Sequence, residues 1–270
     1  MKELYPKSLP AAITIRPLDP RLVTRLVRQL PRDLLVHIHG LRLVGKSQLS
    51  KRLSAVLAAD IIDEVLITRS IAWAITEDAA AYDRHDFKPY FSQLSFEKTE
   101  AGLLPIFAKK RITTDQLQQK KVIALSQKLE ENQKYDSALA KYTSDALEEL
   151  KGRRIVYVSF SPLPKSFVDH KSLPKVVEHI LLVCSEEKLF ERFVQQEKAQ
   201  LGVVDDSGAK ESVAYEQSYE KSVLEYNEVL IEKQFATGGL VCEHDTVVDT
   251  TGASEDQVVT SILAYWKDLV

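Results

Sequence analysis

The chain has 270 residues, 44% hydrophobic and 28% charged, with 36 Lys and Arg against 39 Asp and Glu for a net charge of -3. Those values suit one large globular domain with a full core, and the near balance of charge excludes the basic footprint of a general nucleic-acid binder. Two cysteines without a C-x-x-C exclude a disulfide scaffold, and no apolar run reaches membrane-span length, so the expected setting is cytoplasmic with neither nucleic acid nor membrane as partner.

Residues 1–18 carry Pro6, Pro10 and Pro17 and read as an irregular leader, in which Lys2, Glu3 and Lys7 interrupt any signal-like apolar run. Asp19-Pro20 then reads as a helix cap followed by proline at the first helical position. Leu22, Val23, Leu26, Val27 and Leu30 give that helix one apolar face, while Arg21, Arg25 and Arg28 form a solvated one. Leader and helix together occupy 1–33.

Leu34 to His39 read as a short buried strand. After it comes Gly40, then Leu41, Arg42, Leu43 and Val44, then Gly45, Lys46, Ser47 and Gln48. This is the G-x-x-x-x-G-K-[ST] spacing of a phosphate loop. Glycine permits the turns that aim backbone N–H groups at anionic oxygens, and the following helix adds the positive end of its dipole. The spacing assigns Lys46 to the β- and γ-phosphates of a nucleoside triphosphate and the Ser47 hydroxyl to Mg²⁺. Leu41, Arg42, Leu43 and Val44 are bulky for such a loop. Leu49, Leu53, Val56 and Leu57 recur at helical spacing behind it. His37 and His39 lie in the strand and read as core histidines.

A second short strand ends near Asp63, and a helix with Ile67, Ile71, Ala74 and Ile75 on one side follows. Asp63 at a strand end stands where α/β sheets place ligands, and helix capping is an equal alternative. Arg69 on the helix is open between ligand contact and plain surface charge. Residues 77–152 read as helical and polar, with a loop at 83–89 and helices over about 114–131 and 137–151. No strand signal stands out there, and the segment reads as an acceptor-side insertion.

Strands then follow over about 153–159 and 176–184, with Ser161 to Pro164 as a loop between them. Ser185-Glu186-Glu187 opens a helix that turns Leu189, Phe190, Phe193 and Val194 inward. Residues 203–213 read as a polar loop, 214–234 as a helix and Gly238-Gly239 as a turn. A last strand covers 246–250, and Ser254 to Gln257 form a capping box for a final helix with Val258, Ile262, Leu263 and Trp266 on its apolar face. Five strands alternating with helices, the phosphate loop after the first, predict a parallel three-layer α/β domain spanning the chain.

In four places the chain resembles the P-loop nucleoside monophosphate kinases, and most of all the cytidylate kinase group. These are Gly40 to Ser47 with its helix; Ile62-Asp63 followed by Arg69; the strand from Ile180 into Ser185-Glu186-Glu187-Lys188 and Arg192; and Val247 to Gly252 before an acidic helix start. The chain departs from the group at Ser159-Phe160-Ser161, where the group has Gly-Arg-Asp. The resemblance implies a P-loop kinase fold with a lid-like segment over 196–222. It implies Mg²⁺-dependent transfer of the γ-phosphoryl group of ATP, or another nucleoside triphosphate, to a small-molecule acceptor. In that scheme Asp63 orients the acceptor or acts as base and Arg69 grips an acceptor phosphate. Arg192, Lys210 and Lys221 close over the transferring group, and the acceptor is a nucleoside monophosphate or a similar small molecule. Two other functions fit the same residues: a nucleotide-binding regulator without turnover, and a kinase of a small phosphorylated metabolite.

Overall fold

The computed structural model describes residues 11–15, 19–77, 86–99, 102–159, 176–201, 218–220, 223, 225, 227 and 246–267. In chain order, α1 (Pro20–Gln29) precedes β1 (Leu34–Gly40), α2 (Lys46–Leu57), β2 (Asp60–Asp63) and α3 (Glu64–Glu77). Next come α4 (Lys88–Phe91), β3 (Leu94–Thr99), β4 (Gly102–Phe107), β5 (Lys110–Arg111), α5 (Thr114–Leu117), α6 (Lys120–Glu130) and α7 (Gln133–Glu149). The chain continues through β6 (Ile155–Val158), β7 (Val176–Val183), α8 (Glu186–Leu201), β8 (Thr246–Asp249) and α9 (Glu255–Lys267).

Five strands form one parallel sheet in the order β2-β6-β1-β7-β8. A parallel sheet must be covered on both faces, and successive side chains of a strand point to opposite faces. Leu34, Val36 and Ile38 of β1 accordingly join one core with Leu49, Leu53 and Leu57 of α2, Leu26 of α1, Leu189 of α8 and Trp266 of α9. Leu35, Ile155 and Tyr157 face the other way, into a core built with Ile67 and Ile71 of α3, Val122 of α6 and Tyr135 and Leu147 of α7. The predicted three-layer architecture is present. β1 is central, so the segment after it emerges at the middle of the carboxyl edge, where open α/β sheets bind ligands.

The end signals of the helices work as read. The Asp19 side chain accepts from the Arg21 amide at 2.8 Å, with Pro20 opening α1. Ser254 and Gln257 close a reciprocal box at the start of α9, at 2.8 and 3.3 Å. From the leader, residues 11–15 take neither helix nor strand, but the Ile13 amide donates to Val247 O on edge strand β8 at 2.9 Å. Arg154 has a structural part that its sequence position did not suggest. Its guanidinium donates to Val27 O, Leu30 O, Pro31 O and Leu57 O at 2.7 to 3.0 Å, tying the C-terminal ends of α1 and α2 to the foot of β6.

The stretch expected to be helical between 77 and 152 is instead mixed. β3, β4 and β5 form a three-stranded antiparallel sheet. Two features hide it. β4 contains Pro105, a residue depleted in strands, and its turn to β5 has Ala108 and Lys109 at φ +47 and +67° without the Asn-Gly pair that announces such turns. Lys98 Nζ donates to Ala59 O at 3.1 Å and fixes this sheet beside the α2–β2 turn. The single helix expected over 114–131 is two, α5 and α6, and Lys88-Pro89 begins a helical turn rather than ending a loop. Among the described residues no helix is long and apolar enough to cross a membrane. The expected loops at 161–164 and 203–213 and the Gly238-Gly239 turn lie outside the described residues, as does most of the 214–234 helix.

Candidate functional site

The loop from Gly40 to Ser47 joins buried strand β1 to α2, and its conformation depends on three residues in the left-handed region. Gly40 has φ +139°, and a Cβ there would meet the Leu182 carbonyl oxygen of β7 at 2.5 Å, so no side chain fits. Gly45 has φ +100° and caps α2. Leu43 adopts φ +67°, a strained choice for a branched side chain that the surrounding contacts enforce. The bulk noted in the sequence has a plain use. Leu41 and Val44 are fully buried in the core shared with α2 and β7, and Leu43 packs against it. The loop is rooted in the protein interior instead of lying over its surface.

Four of its carbonyls accept hydrogen bonds. Lys46, 6% exposed, curls back along the loop and its ammonium donates to Gly40 O at 2.8 Å and Leu41 O at 2.7 Å. Arg192 donates to Leu43 O at 3.0 Å, and Thr250 Oγ1 donates to Val44 O at 2.9 Å. The first amides of α2 have no partner within their own helix. Ser47 and Gln48 lie exposed in the first turn of that helix. An anion reaching this edge of the sheet meets amides, a helix dipole and an ammonium together.

Asp63, 9% exposed, ends β2, with Oδ1 accepting the Leu66 amide at 3.0 Å. The capping role is thus real, and the Val65 amide bonds the carboxylate as well. Asp63, Glu130, Arg69 and Arg42 all lie close enough to Lys46 to move its titration. Burial pushes the Lys46 ammonium down to about 7, and Asp63 and Glu130 pull the other way. Burial likewise pushes the Asp63 carboxyl up, opposed by the Leu66 amide and Lys46. Arg69 is half-buried on α3.

Beside Asp63, Glu64 accepts a hydrogen bond from the Tyr157 hydroxyl. Burial raises its carboxyl to about 7, with Asp63, Glu130 and Asp136 adding to the rise. Sequence reasoning singled out neither Glu64 nor Glu130. Glu130 ends α6, a helix of the insertion, and only the tertiary packing brings it to the loop. His37 is a core histidine, as read: fully buried, with Nε2 2.8 Å from Ser159 Oγ and Nδ1 3.1 Å from His179 Nδ1. Ser159, where the resemblance would have placed acceptor-binding residues, is spent on that contact.

Arg192, expected to close over the transferring group, stands against the loop. Besides Leu43 O, its guanidinium reaches Thr250 Oγ1 at 3.3 Å and Thr250 O at 2.9 Å, so it braces the outer side of the loop against the turn after β8. Lys210 and Lys221, the other two cations assigned to a lid, lie outside the described residues. One loop contact had no counterpart in the motif. Asn227 Oδ1 accepts the Arg42 amide at 3.0 Å, and Asn227 is fully buried. Tyr219, Val223 and Asn227 recur every four residues and are all buried, so a polar residue on the buried face of the expected 214–234 helix was the available signal.

No family model matches the chain, and no curated protein matches it. Among solved structures it is similar to a protein assigned as a kinase from Chloroflexus aurantiacus j-10-fl, with 11% identity, 88% of this chain and 98% of that chain covered, and a TM-score of 0.43. It is also similar to a sugar kinase from Janibacter sp. HTCC2649 (11% identity, 86% and 94% covered, TM-score 0.33). A third is a shikimate kinase from Bacteroides thetaiotaomicron (12% identity, 87% and 97% covered, TM-score 0.35).

Proposed function

We propose that the chain is a phosphotransferase moving the terminal phosphoryl group of ATP, or another nucleoside triphosphate, to a small acceptor. The observation that supports this best is the Lys46 ammonium folded onto Gly40 O and Leu41 O, at the mouth of a core-anchored loop between a buried strand and a helix. That arrangement fits binding and charge neutralisation of a triphosphate, which is most of what phosphoryl transfer asks of a protein.

In this reading the amides at the start of α2 and Lys46 hold the β- and γ-phosphates. Mg²⁺ bound with the nucleotide would neutralise charge on the phosphoryl oxygens. The exposed Ser47 hydroxyl at the start of α2 suits it as a ligand. The described residues contain no group of three or more His, Cys, Asp or Glu able to hold a metal alone, which fits an ion carried in by phosphates. The Asp63 carboxyl, raised by burial, is suited to taking a hydroxyl proton.

For the acceptor we favour an uncharged hydroxyl compound over a nucleoside monophosphate. Asp63 and Glu130 stand close enough to Lys46 to act on its charge, and an acceptor phosphate entering there would meet their repulsion beside the pull of Arg69 and Arg42. Arg192 braces the loop through its bonds to Leu43 O and Thr250.

The test combines binding and turnover. ATP with Mg²⁺ should raise the melting temperature of the wild-type chain and not of Lys46→Ala. Labelled ATP should then phosphorylate a member of a panel of polyols, hydroxy acids, nucleosides and nucleoside monophosphates. Equal nucleotide affinity in Lys46→Ala would overturn the whole reading. Binding without transfer to any panel member would turn the assignment to a nucleotide-binding regulator.

A further inference from the structure

The near balance of charge over the whole chain hides an uneven distribution. The sequence holds 23 lysines and 13 arginines, yet between residues 8 and 45 stand six arginines and no lysine. A merely solvated face has no need of that choice, and α6 and α7 expose Lys120, Lys121, Lys134 and Lys141 instead. Arg21, Arg25 and Arg28 recur every three or four residues along α1, all exposed, and so form one stripe on its outer face. Arg32, exposed just past Pro31, continues it. Burial, and after it the charge of Arg32, push the Arg154 guanidinium down, which sets Arg32 beside the group that ties this end of α1. No acidic residue lies on the helix. Of the flanking acids, Asp19 caps α1 through the Arg21 amide and Asp33 is half-buried. Among the described residues no ion pair engages any of the four arginines.

The other face of α1 narrows the partner. Leu26 and Leu30 are in the core and Val23 and Val27 pack against it, which leaves Leu22 as the exposed apolar side chain of the helix. An anionic lipid surface is held by an inserted apolar face and by cations whose kind matters little, and α1 offers neither. Arginine's planar fork instead suits separate phosphates, each gripped through two oxygens. The stripe from Arg21 to Arg28 spans about 10 Å along the helix, a length over which one strand of a nucleic acid presents about three phosphates. We infer that the outer face of α1 docks the phosphodiester backbone of a nucleic acid, without regard to base sequence. The contact leaves the phosphate loop open, because α1 ends at the foot of the sheet and the loop emerges at the opposite edge.

The experiment follows the anisotropy of a labelled RNA single strand and a labelled DNA duplex, each of mixed sequence, as the full chain is added at about 50 and about 200 mM salt. Wild type should bind at least one of them in the micromolar range at the lower salt, and about three or four phosphate contacts should weaken that roughly twentyfold to a hundredfold at the higher. Arg25→Gln with Arg28→Gln should cost at least about tenfold and lower the salt slope by about 2, and Arg25→Lys with Arg28→Lys should recover only part. Lys109→Gln with Lys110→Gln removes the same charge from another exposed place and should change affinity less than about twofold. The arginine variants should keep the wild-type melting temperature and the wild-type affinity for a non-hydrolysable ATP analogue, since the stripe is exposed and away from the loop. Binding to neither nucleic acid, an equal loss in the lysine control, or full retention by the Arg→Lys pair would overturn the inference. So would a wild type that binds poly-glutamate, or vesicles of phosphatidylcholine and phosphatidylserine, more tightly than either nucleic acid.

Discussion

At the scale of single residues, Lys46 is set by two opposed demands. Burial strips water from its ammonium and brings its pKa to about 7, yet the role proposed for it needs the charge. Bound phosphates would restore the charged form, so above pH 7 nucleotide binding must take up a proton. Affinity should then fall up to about tenfold per pH unit from 7 toward 9. Calorimetry at pH 8 in two buffers of different ionisation heat reads the uptake directly, and identical heats in both would contradict it. Glu64 gives a second prediction with the opposite chemistry. Its carboxyl is raised from 4.5 to about 7, so the folded chain favours the protonated form. The stability this contributes is full below the unfolded value and is lost as pH rises through 7. Glu64→Gln keeps an acceptor for the Tyr157 hydroxyl and carries no charge. Its melting temperature should exceed that of wild type at pH 8 and match it near pH 4.5. Neither behaviour is readable from the sequence. The motif announced Lys46, but its burial comes from the packing around it, and Glu64 looked like an ordinary acidic residue at a helix start.

At the scale of elements, the parts legible in the sequence are those fixed by local chemistry. β1, β7 and the phosphate loop announce themselves through apolar runs and glycine spacing, and α1 and α9 through caps whose hydrogen bonds are present in the structure. The β3–β5 sheet was not legible, because its turn at Ala108-Lys109 uses residues that do not advertise positive φ. The same disguise occurs at the end of α2. Ala58 caps that helix at φ +51° and is exposed, so its methyl group brings strain with little packing in return. Ala58→Gly should therefore stabilise the chain by about 1 kcal/mol, seen as a higher denaturant midpoint at unchanged slope. An unchanged or lower midpoint would mean that the left-handed cap carries no strain.

At the scale of the molecule, two cores back to back on one sheet hold the site in place, and the polar contacts that join distant segments do the registering. Arg154 is the clearest example. Four carbonyls from α1, the turn after it and α2 converge on one guanidinium at the foot of β6. Arg154→Ala should cost about 2 kcal/mol, with faster amide exchange in α1, and Arg154→Lys should recover only part because an ammonium cannot span all four acceptors. Full recovery by lysine would show that charge alone matters. Such long-range convergence is why the site was only half visible beforehand. The donor side lies within one short stretch from Gly40 to Ser47. Glu130, Asn227 and Thr250 reach it from segments more than 80 residues away in sequence, and no spacing rule links them.

The rooting of Leu41 and Val44 in the interior has a further result. A nucleotide would find its seat already shaped and would spend little of its affinity on ordering the chain. Conversely, a cavity carved beneath that seat, at Leu53 or Leu182, should blunt nucleotide affinity well before the protein unfolds. Damage to the interior and damage to recognition would then reach an observer as one and the same defect.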